Sequence, residues 1–312
     1  MALLFSSQGD DADLWRHNMA TELPDLDFRV WTPDGQDIGD ANDIEYALVW
    51  KPRKGALKEF QNLKAIFSLG AGVDHLAGAD LPKGVPVVRL VDRGLTQGMS
   101  EYVAYWVLHH HRRFDAYADM IAENGWQRLA QKDAHGRRVG IMGLGVLGRD
   151  ALEKLKPFEF DLAGWSRTPK TIPGVKSFAG EDGLQEFLKR TEILVCLLPL
   201  TPETTSIINA QTLALLPEGA YLINAARGGH VVDNDLIEAL DSGHIGGATL
   251  DVFHTEPLPD DHPFRAHPKV HLTPHIASIT MPETAARAVA DNIRRIRKGE
   301  PPEPVVDPET GY

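Results

Sequence analysis

Hydrophobic and polar positions alternate along this chain in two rhythms. Apolar runs of four residues recur at 3–6, 28–31, 47–50, 65–68 and 87–90, too short for helices and consistent with strands. Stretches with helical periodicity, such as 11–23, separate some of them. Repeated strand–helix units imply a parallel sheet with helices on its faces. The alternation resumes after Val139. Strands are predicted at 139–142, 193–198, 221–224, 248–252 and 270–273, and helices at 184–188, 210–216 and 234–242. The last helical pattern, 283–298, lies too far along to belong only to the second sheet, so it is expected to return to the first. That gives a discontinuous first domain, 1–98 plus 285–312, around a second domain, 99–284. The proline-rich tail from Pro301 reads as an extended strap.

One stretch fixes what the second domain is for. Val139–Met142 is an apolar run, and Gly143, Gly145 and Gly148 follow at GxGxxG spacing. Leu147, Ala151, Leu152 and Leu155 then form one helical face, and a second apolar run ends in Ser166-Arg167-Thr168. A strand, a glycine turn, a helix and a strand within about 30 residues is the context that a dinucleotide fingerprint requires. Gly143 permits the tight turn, Gly145 lets a pyrophosphate approach the backbone, and Gly148 lets the helix pack closely. Free N–H groups of Val146, Leu147 and Gly148 at the helix start suit phosphate. An NAD site usually has Asp or Glu at the end of the second strand. Here Ser166 stands there, followed by Arg167 and Thr168, which suits a 2′-phosphate; Lys170 adds positive charge. The sequence therefore points to NADPH (NADP+), with NADH as a weaker alternative. Pro199 and Thr204, after the strand at 193–198, would border the nicotinamide half.

Composition narrows the classes. A chain of 312 residues suits two α/β units. Its net charge of −12 argues against a nucleic-acid surface, and any site for an anion must be locally positive. No apolar run approaches membrane-spanning length, and the N-terminal apolar residues are too few for a signal segment, so a cytoplasmic protein is expected. The lone Cys196 lies in an apolar strand and cannot form an intrachain disulfide. A long helical pattern from Met99 toward Ala122 carries Tyr102, Tyr105, Trp106 and Phe114, and reads as a candidate dimer surface. His109, His110 and His111 on it point about 100° apart and cannot converge on one ion. No metal is expected.

Three polar groups sit at or beyond the ends of consecutive predicted strands: Asn224-Ala-Ala-Arg227-Gly228, Asp251-Val-Phe-His-Thr-Glu256-Pro257 and Thr273-Pro-His275. Open α/β sheets bind ligands at the carboxyl ends of their strands, so these loops should converge. Arg227 would grip a carboxylate and polarise the adjacent carbonyl. His275 would donate a proton to that carbonyl oxygen, and Glu256 would pair with the ring. Singly, each has a plain reading: a surface arginine, a cap before Pro257, a turn after Pro274. In the first domain, Leu69, Gly70, Ala71 and Gly72 form a turn after a strand that could offer backbone N–H groups to a carboxylate or could be only a turn. Trp50 at a strand end suits packing, or a cover for two- or three-carbon substrates.

Taken in order, Gly-Ala-Gly-Val-Asp, Gly-Leu-Gly-Val-Leu-Gly, Asn-Ala-Ala-Arg-Gly, Asp-Val-Phe-x-x-Glu-Pro and Thr-Pro-His resemble the D-2-hydroxyacid dehydrogenase family over nearly the whole chain. Tyr46-Ala-Leu-Val-Trp50, Gly164-Trp-Ser-Arg-Thr168 and the ending Gly311-Tyr312 are most similar to its glyoxylate/hydroxypyruvate reductase A branch. The resemblance implies two doubly wound parallel-sheet domains, a Rossmann-type cofactor domain inserted into a flavodoxin-like substrate domain. It implies Arg227 and His275 as the catalytic pair supported by Glu256. Substrate would be held by Leu69, Gly70, Ala71 and Gly72, and the nicotinamide amide by Asp251. It also implies a homodimer acting on small 2-oxo acids. Phosphoglycerate dehydrogenase fits poorly, because no regulatory domain follows the last helix. A nucleotide-sensing binding protein remains the competing class, although such a protein needs only the cofactor motif.

Overall fold

The computed structural model describes residues 1–32, 38–77 and 80–306. The chain divides into two compact units, Met1–Leu95 with Ile279–Tyr312, and Thr96–Ser278. The boundaries fall a few residues before those expected from the sequence. Gly311 and Tyr312 lie outside the described residues.

The first unit holds β1 (Ala2–Ser6), β2 (Asp27–Val30), β3 (Ile44–Val49), β4 (Ala65–Ser68) and β5 (Val87–Val88). They lie in the order β2-β1-β3-β4-β5, every pair parallel, which is the flavodoxin-like doubly wound order. Ala2 to Phe5 are all fully buried, as a parallel strand covered on both faces requires. The helix Ala12–Glu22 starts where the Asp11 carboxylate accepts the N–H groups of Asp13 and Leu14. It buries Trp15 and Met19, one turn apart. The helix Pro282–Arg297 completes this core. Proline stands in its first turn, and Ala285, Ala286, Val289, Ala290 and Ile293 pack in one cluster with Trp15 and Met19. The strap extends the sheet edge: Val306 N–H donates to the Val87 carbonyl at 2.8 Å, and Val305 bridges Val88 antiparallel.

The second unit holds β6 (Arg138–Met142), β7 (Asp161–Ser166), β8 (Lys176–Ala179), β9 (Ile193–Cys196), β10 (Ala220–Asn224), β11 (Ile245–Leu250) and β12 (Val270–Leu272). Their order is β12-β11-β10-β9-β6-β7-β8, again all parallel. Counted from β6, this is the Rossmann order with one strand added, and its topological switch lies between β6 and β9. The carboxyl ends are in register. Trp165, Met142, Cys196, Asn224, Leu250 and Leu272 are successive partners across the sheet. Cys196 is fully buried, and burial pushes its thiol up to about 12.

Two elements depart from the sequence reading. β8 gives no apolar run, because it is an edge strand whose first two residues, Lys176 and Ser177, are exposed. The helix expected from Met99 starts at Arg93 and stops at Arg112, and a second helix, Phe114–Ala122, follows. Gly94 and Gly98 disguise its first turns, where the Asp92 carboxylate accepts from the N–H groups of Gly94 and Leu95. Arg113, at φ 58°, adopts the left-handed conformation that breaks it. The three histidines face different neighbours. His110 is buried, stacks on Tyr221 and bonds Thr249 Oγ1 at 2.9 Å, while His111 lies against Phe160 and His109 beside His271. Burial holds His110 well below the usual imidazole range. None of the described helices is long and apolar enough to cross a membrane.

Ile293 tests whether the C-terminal helix belongs to the first core. Ile293→Ala should lower unfolding free energy by about 2–5 kcal/mol in urea titration. A loss below about 1 kcal/mol would show the helix docked only loosely.

Candidate active site

Because the strand ends of the second unit are in register, its loops leave the sheet from one row. At β6 the chain turns through Gly143, whose φ of 102° favours glycine. Its N–H donates to the Trp165 carbonyl at 2.9 Å. A Cβ on Gly148 would fall inside the Gly143 carbonyl oxygen, so the helix Val146–Leu155 can start this close only with glycine there. A Cβ on Gly145 would meet nothing within 4 Å: this position faces open space. Open space over a helix start with no side-chain cap is what a pyrophosphate needs. Arg149 and Lys170 both donate to the Leu144 carbonyl, at 3.1 and 3.0 Å, which brings two cations to the turn. The residues present fit a dinucleotide.

At the end of β7 the three cofactor candidates separate. Ser166 is 6% exposed and its hydroxyl donates to the Thr168 carbonyl at 2.8 Å, while Arg167 and Thr168 are exposed. The Glu203 carboxyl is held below its usual range chiefly by its bond to the Thr201 hydroxyl, with the Arg167 charge as a smaller cause. In the loop after β9, Thr204 Oγ1 donates to the Pro199 carbonyl at 2.7 Å and accepts from the Thr201 N–H at 2.8 Å.

The three loops after β10, β11 and β12 carry the reactive candidates. Arg227 follows the buried Asn224, whose side chain accepts from the Ala226 N–H at 3.2 Å and donates to the Arg227 carbonyl at 3.0 Å. Nη1 of Arg227 donates to the Ala226 carbonyl at 2.7 Å. A Cβ on Gly228 would overlap the Phe253–His254 peptide, so this loop packs directly on the one that carries Glu256. Glu256 accepts the Phe253 N–H at 3.0 Å with one oxygen, and its other oxygen lies 2.8 Å from His275 Nδ1. The two side chains are 29% and 39% exposed, and this leaves Nε2 as the ring atom free of the carboxylate.

Asp251 holds the histidine loop. Its buried carboxylate accepts from Thr273 Oγ1 at 2.6 Å, the Ile276 N–H at 2.8 Å and the Ala277 N–H at 2.9 Å. Its carbonyl accepts the His275 N–H at 2.9 Å. These bonds sustain a left-handed His275, φ 55°, a conformation uncommon outside glycine. The Thr273 hydroxyl lies 2.7 Å from Tyr102, whose phenol burial pushes up. Tyr102 thus faces inward to this network, whereas Tyr105 and Phe114 are 60% and 51% exposed. The aromatic residues expected on one surface are therefore divided between two.

In the first unit, the turn after β4 is drawn in by the fully buried Ser68, whose hydroxyl donates to the Gly72 carbonyl and accepts the Gly70 N–H. The Leu69 N–H donates to the Val49 carbonyl at 3.1 Å. The N–H groups of Leu69 and Gly70 are therefore engaged, and a carboxylate role narrows to Ala71 and Gly72. The Trp50 ring lies 2.9 Å from where a Gly70 Cβ would sit and packs on His75, with centroids 4.1 Å apart. Ser68, His230 and Tyr102 take no part in the site as read from sequence, and Asn224 enters it only as the first residue of the group that ends in Arg227-Gly228. The only signal for Asn224 and His230 is their closeness to Arg227.

The sequence model for "D-isomer specific 2-hydroxyacid dehydrogenase, NAD binding domain" matches residues 104–277. The chain is 44% identical over 318 aligned residues to glyoxylate/hydroxypyruvate reductase A of Serratia proteamaculans, covering 100% of both. Among solved structures it is similar to a D-isomer specific 2-hydroxyacid dehydrogenase from Xanthobacter autotrophicus in complex with NADPH, with TM-score 0.96, 46% identity and coverage of 100% and 99%. It is also similar to an NADPH-dependent glyoxylate/hydroxypyruvate reductase from Sinorhizobium meliloti in complex with NADP, with TM-score 0.93, 39% identity and full coverage of both chains.

Asp251→Asn should lower stability by about 1–3 kcal/mol, because an amide NH2 must then oppose an N–H or hydroxyl donor in a buried site. Urea unfolding measures it, and an unchanged midpoint would mean that the carboxylate does not hold the histidine loop.

Proposed function

The chain belongs to the D-isomer specific 2-hydroxyacid dehydrogenase family, and we propose that it reduces small 2-oxo acids with NADPH, glyoxylate to glycolate and hydroxypyruvate to glycerate. The observation that carries this reading is the 2.8 Å pair of His275 and Glu256 beside the Arg227 loop, on the same strand-end row as the glycine turn. A dinucleotide at that turn supplies the hydride. The unit Thr96–Ser278 is its domain, and Met1–Leu95 with Ile279–Tyr312 is the substrate domain.

Each residue has a role. The N–H groups of Val146, Leu147 and Gly148, with Gly143 and Gly145 in the turn before them, would hold the pyrophosphate. Arg167 pairs with the 2′-phosphate at the Ser166–Thr168 turn, with Lys170 adding charge. Pro199 and Thr204 would border the nicotinamide, and the acceptor capacity left on Asp251 would take its amide. Arg227 grips the substrate carboxylate and polarises the carbonyl. Ala71 and Gly72 offer N–H groups suited to a carboxylate. His275, with Nδ1 committed to Glu256, donates its proton from Nε2 to the carbonyl oxygen. Trp50 over Gly70 favours short substrates. The protein is cytoplasmic and a homodimer, its protomers meeting through the exposed Tyr105, Phe114 and Ile121. Light scattering on the eluting protein tests the dimer, and a monomer mass would remove it.

NADPH consumption with glyoxylate or hydroxypyruvate should exceed NADH consumption by about tenfold or more in kcat/KM, which needs about 1.4 kcal/mol of differential binding. Arg167→Ala should abolish that preference, and equal use of both cofactors by the parent would remove the role of Arg167. His275→Ala should lose about 10²–10⁴-fold in kcat while still binding NADPH. A variant that kept its rate would overturn the acid assignment. Absence of turnover with every short 2-oxo acid, despite tight NADPH binding, would point to a sensor.

A further inference from the structure

The Arg227 carbonyl is the focus of an unusual number of donors. Asn224 Nδ2 reaches it at 3.0 Å, the His230 N–H at 3.3 Å, and His230 Nδ1 lies 3.0 Å away. The other ring nitrogen of His230 lies 3.2 Å from the Pro199 carbonyl, on the loop that leaves β9. His230 is 0% exposed. A carbonyl oxygen only accepts, so each ring nitrogen needs a proton to bond the one it faces. A bare ring nitrogen facing either carbonyl would set two acceptors against each other in a buried site. Only the imidazolium can donate at both ends.

The backbone already joins these loops without the ring. Ser206 N–H donates to the Gly229 carbonyl and Ile208 N–H to the His230 carbonyl, both at 2.8 Å, and Val232 N–H donates to the Ile208 carbonyl at 2.9 Å. What the ring adds is orientation. It fixes the Arg227 peptide against the Pro199 peptide, and a small rotation at the root of a long arginine displaces its guanidinium. Misplacement by 1 Å can cost about 10²-fold in rate.

We propose that His230 is a positioning residue for the reduction: a doubly protonated ring that ties the Arg227 and Pro199 carbonyls together and so aims the guanidinium at the substrate carboxylate. The inference rests on the assignment of Arg227 to a 2-oxo acid. Leucine of similar volume removes both bonds, whereas glutamine keeps two N–H donors.

The experiment compares the parent with His230→Leu and His230→Gln, and adds a ¹⁵N-histidine spectrum at neutral pH. His230→Leu should lose about tenfold or more in kcat/KM for glyoxylate, mainly through KM, while NADPH affinity changes by less than about twofold. His230→Gln should recover most of that loss. The ring signal that vanishes in His230→Leu should show both nitrogens protonated in the parent. Parental kcat/KM in His230→Leu, equal losses in the two variants, or a neutral tautomer would each overturn the proposal. If the leucine variant does not fold, the parent ring spectrum, assigned by loss in His230→Gln, decides. If the parent reduces no 2-oxo acid, the reductase reading fails by itself and the ring spectrum still decides the tie.

Discussion

The site depends on a register. Six strand ends, Trp165, Met142, Cys196, Asn224, Leu250 and Leu272, are hydrogen-bonded neighbours in one row. A parallel sheet sends every chain out of the same edge, so each residue just past this row enters a loop on one side of the sheet. Gly143, Arg167, Pro199, Arg227, Asp251 and His275 all lie within a few residues of it. A register slip of one residue would turn every side chain on that strand to the other face. These strands are buried on both faces, so a slip would misfit the close packing on both sides at once.

On that row, buried polar groups do the fine positioning, and the cost of burying them is met by full hydrogen bonding. Asp251, Asn224 and His230 are each at most 1% exposed. Each sits at a strand end or in the turn that follows, where backbone N–H and C=O groups have left the ladder and need partners. Asp251 takes in the donors of the histidine turn, Asn224 spans the turn to Arg227, and His230 reaches across to the next loop. Strain at His275 persists because these bonds over-determine it. The Arg227 and His275 side chains remain partly exposed, while the groups that hold their loops are sealed. This division leaves the Arg227 and His275 side chains accessible without loosening their supports.

The same division explains what could be read from the sequence. Strands such as 139–142 and 193–196 announce themselves because both faces are buried and the residues are apolar throughout. The glycine turn is legible because its requirements are steric: positive φ at Gly143 and no room for a Cβ at Gly148. β8 escapes such a reading because an edge strand need not be apolar, and the start of the helix Arg93–Arg112 escapes it because Gly94 and Gly98 look like loop. Buried supports such as Ser68, Asn224, His230 and Tyr102 escape it for another reason. They depend on hydrogen bonds whose partners come from other loops or, for Ser68 and Asn224, from their own turns, and polar residues near a turn look alike until that geometry is known. Of the four residues in the turn after β4, only the structure shows that Leu69 and Gly70 have committed their N–H groups.

Charge is the remaining conflict, since a protein of net charge −12 is assigned an anionic substrate and a cofactor with several phosphates. Distance resolves it. At physiological ionic strength the field of surface carboxylates is screened over about 8 Å, so the global charge acts on approach rather than on the bound state. Within the site the near groups decide. Arg149 and Lys170 reach the glycine turn, Arg167 stands exposed at the end of β7, and the Arg227 loop packs on the one that carries Glu256. Glu256, the acidic side chain set against His275, has one oxygen on a backbone N–H and the other on the ring. With both oxygens so engaged, the charge of that carboxylate is turned toward its own loop and the histidine ring.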